Sequence, residues 1–181
     1  MNTQIRTSTE KVISKLYVEL MKEDVLGVVI RGHIFVETIL NHLLDELVLL
    51  NEHLPSLRFE QKVKLCASLG MRLEIVEPLK ELGNIRNAFS HNMEISLNKT
   101  MVNKFFDKFS DKDKIKLESS IRVGFEVQES DVPDIIPRMN PKHLFVALIL
   151  VLWSDLERET NNLSRQKTLK NEKVFRKSKA G

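Results

Sequence analysis

Apolar residues recur along most of this chain at helical spacing. Val12, Leu16 and Leu20 predict a first helix over Ser8 to Lys22, with Thr7 and Glu10 at capping-box spacing around its start. A second, longer helix is expected from Asp24, a good N-cap, to about Leu50, because Val29, Val36, Leu40, Leu43 and Leu47 fall in one narrow arc. Ser56 is placed to cap a third helix over Leu57 to Leu69, which Gly70 ends. Pro78 suits the first turn of a fourth, whose Leu79, Leu82, Ile85 and Phe89 share a face. Residues 97–120 read as one or two charged helices, with Ser110 as break and cap. The alternating segment 121–128 reads as a short strand or extended link, and 131–137, with two prolines, as a loop. Asn140 followed by Pro141 opens a last helix running to about residue 162.

That last helix is apolar nearly all round through LFVALILVLW, residues 144–153. Ten residues fall well short of the ~20 a membrane span needs. Such a helix must be covered on several sides, so it belongs at the centre of a bundle or in an oligomer interface. The pattern as a whole predicts an all-α, single-domain, up-and-down helical bundle over residues 1–163.

Composition changes this picture in two places. The single cysteine, Cys66, excludes an internal disulfide and fits a reducing cytosol, and the N-terminus has no apolar run of a signal peptide, so a cytoplasmic protein is expected. Charge is unevenly spread. Residues 164–181 hold seven Lys or Arg and one Glu, net +6 within a total of +3, which leaves −3 on the rest. This basic tail reads either as a flexible, solvated C-terminus or as a contact for RNA or another acidic surface.

Polar residues on an apolar face are the first chemical signal. His33 and Glu37 lie about 40° and 80° from Val29 on the helical wheel, inside or at the edge of the apolar arc, and four apart, so their side chains can meet. Buried ionisable groups need partners. The two readings are a mutually satisfied core pair, or a polar pocket in which Glu37 orients the guanidinium of Arg86.

The second signal is IRNAFSHN, residues 85–92. Arg86 and His91 are five apart, about 140° on an ideal helix, so they converge only if the helix ends near Ser90 or a second subunit supplies one of them. His91-Asn92 reads as that end, with Asn92 in the left-handed conformation. Arginine and histidine suffice for RNA cleavage without metal. Histidine exchanges protons near neutral pH, and arginine stabilises charge on phosphate oxygens, while Asn87 or Ser90 is placed to hold a phosphate oxygen or the imidazole. The five histidines have no H-x-x-x-H or H-E-x-x-H spacing, no phosphate-cradling glycine loop exists, and neither metal nor cofactor is expected. One Trp and one Tyr offer few stacking platforms for single-stranded RNA.

LKELGNIRNAFSHN at the end of an apolar helix resembles the HEPN superfamily, whose signature is R-x4-6-H with a polar residue often following the arginine. Arg86, Asn87 and His91 match it position by position. RGHIFVETILNHLLDEL followed by FEQKVKLCASLG is similar to the mannitol repressor (MtlR)-like group, through Phe59, Lys62, Leu65, Leu69 and Gly70. The resemblance covers about residues 25–92. It implies a HEPN-like bundle acting as a homodimer, with Arg86 and His91 catalytic and Asn87, Ser90, His33 and Glu37 supporting. The implied activity is a metal-independent endoribonuclease, as in toxins paired with antitoxins and in phage defence. The same resemblance implies the alternative of a non-catalytic transcriptional regulator that binds RNA or a regulatory protein. The chain shows no helix-turn-helix.

Overall fold

The computed structural model describes residues 2–48, 53–92, 94–125 and 135–178, and every regular element among them is a helix. In chain order these are α1 (Asn2–Lys22), α2 (Val25–Leu47), α3 (Phe59–Ser68), α4 (Leu73–His91), α5 (Lys99–Phe106), α6 (Asp111–Phe125), the single turn α7 (Ile135–Arg138) and α8 (Pro141–Ser178). The protein is all-α, as the periodicity requires.

α8 is the hub. It packs on α2 most extensively and also on α1, α4, α5 and α6. Leu144, Phe145, Val146, Leu148, Ile149, Leu152 and Leu156 are all buried, and Ala147, Leu150, Val151 and Trp153 are partly so. This distribution around the whole circumference is what an all-round apolar segment demands. α2 answers with Val28, Val29, Val36, Leu40 and Leu43. The two backbones come close at Gly32, where a Cβ would stand 3.2 Å from Ile149 Cγ1. At the start of α8, Lys142 Nζ donates to the carbonyls of Met21 (2.9 Å) and Glu23 (2.6 Å), meeting the negative end of α1 with a cation. No described helix is long and apolar enough to cross a membrane.

Local signals placed several helix ends. Asp24 Oδ1 accepts from Gly27 N at 2.6 Å, Ser110 Oγ accepts from Asp113 N at 3.3 Å, and Asn140 Oδ1 accepts from Lys142 N at 2.9 Å ahead of Pro141. Gly70 follows α3 with φ +107°.

Other boundaries differ from the sequence expectation. α1 starts at Asn2, so Thr7 and Glu10 lie inside the helix rather than at its start. α2 stops at Leu47, short of Leu50. α3 starts at Phe59, where the Gln61 side chain accepts from Arg58 N at 2.8 Å, and Ser56 has no part in it. α4 begins at Leu73, with Pro78 in its second turn. A proline there removes one helical bond, but the buried Ile75 and Val76 hold the turn ahead of it, so the helix survives. Residues 121–125 belong to α6 rather than to a strand, and 135–138 are helical rather than loop. The intervening 126–134 lie outside the described residues. α8 continues past residue 162 to Ser178.

Truncating Leu148 to Ala should cost about 2–5 kcal/mol of stability, because the rigid helices around α8 cannot collapse into the cavity. Truncating Ile115 to Ala, which is exposed on α6, should cost far less. Urea unfolding of both variants checks the contrast, and equal losses would contradict α8 as the centre of the core.

Candidate functional site

α2, the start of α3 and α4 meet around a cleft of about 720 Å³. α2 contributes His33 and Glu37 from the edge of its apolar arc. α3 contributes Arg58, Phe59, Glu60 and Val63. α4 contributes Lys80, Gly83, Asn84, Arg86, Asn87 and His91. The opposite face of α4, with Leu79, Leu82, Ile85 and Phe89, is buried in the core. The same helix is thereby held rigidly by one face and offers the other to the cleft.

Of the residues singled out from sequence, His33, Glu37, Arg86, Asn87 and His91 all line this one cavity, and Ser90 does not. The Ser90 hydroxyl donates to the Arg86 carbonyl at 3.0 Å, so it serves its own helix. α4 runs through His91 and ends at Asn92, where the sequence places its end, and Arg86 and His91 line the same cleft. Asn92 ends the helix with φ −142° and ψ 108°, extended rather than left-handed, and its Oδ1 accepts from Glu94 N at 2.9 Å.

The charge pairing also differs from expectation. Glu37 does not hold Arg86. Its Oε1 accepts from Lys62 Nζ at 2.6 Å, and its Oε2 faces His33 Nδ1 at 3.6 Å. Arg86 instead donates from Nη1 to the uncharged Oδ1 of Asn87 at 2.9 Å, and among the described residues no carboxylate pairs with it. The reason is geometric. Lys62 projects from the flank of α3 towards α2, and a compact ammonium there reaches Glu37 first.

His33 is buried, with its ring 4.3 Å from that of Phe59. Burial pushes its pKa down to about 4. The Glu37 carboxylate opposes this, and the charges of Arg86 and Lys62 reinforce it. His33 is therefore neutral at physiological pH, and among the described residues its buried Nε2 has no hydrogen-bond partner. The paired reading of His33 and Glu37 holds in geometry, but the strong member of that pairing is Lys62.

Sequence reasoning gave Lys62, Arg58, Asn84 and Phe59 no part in the site. Lys62 carried a usable signal. It lies about 60° from Phe59 on the wheel of α3, a lone lysine beside an apolar face with Val63 and Cys66. Arg58, Asn84 and Lys80 carried none, since exposed polar residues are ordinary.

Chemically, the cleft offers a guanidinium that no carboxylate among the described residues holds, an imidazole at a helix end and side-chain amides, with its carboxylates engaged: Glu37 by Lys62, and Glu60 by Lys64 at 2.6 Å. It can receive an anion. Comparison of the chain with protein-family models, with curated proteins and with solved structures finds no match in any of the three.

The depressed His33 pKa sets a pH dependence. The unfolded chain takes up this proton near pH 6.5, while the folded protein resists it to about pH 4. More protons bind to the unfolded state in that window, so stability should fall as pH drops from 6.5 towards 4. A His33→Gln variant should lose less stability than wild type between pH 7 and 4.5. Parallel losses in denaturant titrations would remove His33 as the cause.

Proposed function

We propose that the cleft binds the phosphodiester backbone of RNA and cleaves it without a metal ion. The observation that carries this reading is the Arg86 guanidinium. It lines a polar cleft together with His91, and among the described residues it is engaged by a neutral amide while the carboxylates of the cleft are paired elsewhere. A guanidinium in that condition keeps donors for a phosphate.

In the proposed reaction the ribose 2′-oxygen attacks the adjacent phosphorus and the bond to the 5′-oxygen breaks. The 2′-hydroxyl proton leaves to a base, and a proton is delivered to the departing 5′-oxygen. The products are a 2′,3′-cyclic phosphate and a 5′-hydroxyl. His91 exchanges these protons, and Arg86 stabilises the charge that builds on the non-bridging oxygens. Asn87 positions Arg86. The HEPN resemblance supports this assignment of roles, and it supports a homodimer in which two such motifs share one cleft. Leu26 and Ile34, 48% and 52% exposed with Ile30 between them, form an apolar strip along the edge of α2 that also bears Glu37. A second copy seated there would lie at the rim of the cleft. In a cell such an enzyme would act as a toxin or defence effector held by a cognate partner.

One observation favours a second reading, a non-catalytic regulator of the mannitol repressor-like kind. His91 is exposed at the last position of α4, and among the described residues no side chain fixes its ring. In that reading the same cleft binds RNA or a protein anion without cleaving it.

Purified wild type, His91→Ala and Arg86→Ala proteins should be compared on a broad set of RNAs in EDTA. Cleavage by wild type with cyclic phosphate ends is expected. Loss in His91→Ala, and a drop of at least about 100-fold in Arg86→Ala, should follow without loss of folding. Binding with no cleavage by wild type would select the regulator.

A further inference from the structure

The pairing of Glu37 has a consequence for Arg86 that neither residue reveals alone. Glu37 on α2 and Arg86 on α4 line one cleft, and both act electrostatically on His33, which lines it too. A carboxylate and a guanidinium that share a cleft can close on one another as a bidentate pair. That pair would occupy the donors a phosphate needs, and an incoming anion would have to displace an internal one.

Lys62 changes the outcome. Its Nζ holds Glu37 Oε1 at 2.6 Å, with the two side chains only 17% and 26% exposed. The other carboxylate oxygen faces His33 Nδ1 at 3.6 Å, so both ends of Glu37 point at groups other than Arg86. A partly buried charge pair of this kind is firm, because removing either member leaves the other desolvated and unpaired. Resting on the phosphodiester reading above, we propose that Lys62 is a positioning residue which keeps Glu37 away from Arg86 and so holds the anion site open. A merely structural lysine would support the α2–α3 contact and nothing more.

The two roles separate in a mutant cycle on the full chain. The probe is a fluorescently labelled 2′-O-methyl oligoribonucleotide, which the proposed enzyme cannot cleave, followed by anisotropy. The second readout is the NMR titration of the His33 imidazole. Lys62→Met frees Glu37 to turn to Arg86 and His33. Binding should weaken about tenfold, and the His33 midpoint should rise from about 4 by about a unit or more. Lys62→Arg should behave as wild type. The double variant Lys62→Met/Glu37→Gln should recover most of the binding, because the competing carboxylate is gone, and its His33 midpoint should fall back. Should Lys62→Met fail to fold, Lys62→Gln completes the same cycle.

A double variant as weak as Lys62→Met would overturn the proposal, since the loss would then be structural. So would a Lys62→Met protein that binds like wild type. Arg86→Gln keeps this apart from the reading beneath it. If Arg86→Gln loses binding while Lys62→Met retains it, the Lys62 assignment alone fails. If wild type and Arg86→Gln bind alike, the phosphodiester site fails and the Lys62 role with it.

Discussion

The burial of one helix on all sides is the constraint on which the rest of this structure depends. Residues 144–153 of α8 leave no polar face to give to water, so α1, α2, α4, α5 and α6 surround it. Each neighbour then has its apolar stripe spoken for and its orientation about its own axis set. For α2 this turns His33 and Glu37 towards α3 and α4. For α4 it turns Arg86, Asn87 and His91 outward while Leu79, Leu82 and Ile85 point in. The cleft is what remains where three such helices cannot all close on one another.

Inside that cleft the decisive effect is competition among charges for too few partners. Burial keeps His33 neutral against the pull of Glu37. The carboxylate, denied a charged histidine, takes the nearest ammonium. The guanidinium on the facing helix is left with an amide. An arrangement with Glu37 on Arg86 would satisfy the same charges equally well, and the difference between the two lies in which helix presents its cation at the right height.

Much of this was legible in the sequence because it is local. Asp24, Ser110, Asn140 with Pro141, and Gly70 announce helix ends through chemistry that acts within three residues. The apolar stripes of α2 and α4 are periodic and survive any error in where the helices begin. The polar residues that line the cleft were also visible, since His33 and Glu37 break an otherwise apolar arc. The start of α4 was hidden, because the packing of Ile75 and Val76 extends the helix ahead of a proline that local preference would place at its edge. The partner of Glu37 was hidden for a different reason. Lys62 is 25 residues away on another helix, and nothing in a pairwise pattern says whether it or Arg86, further still along the chain, arrives closer.

The central position of α8 also sets an order in time. α2 is synthesised about 100 residues before the segment that covers it, which at ordinary rates is an interval of roughly 5–20 s. Through that interval Val29, Val36, Leu40 and Leu43 have only α1, α3 and α4 to shelter them. The emerging chain therefore carries a long exposed apolar seam until its last helix arrives, and closure of the core is a late, non-local step. Folding of this protein is gated by the helix that carries its longest apolar run, and a ribosome that stalls before residue 144 leaves behind a product with strong reason to aggregate.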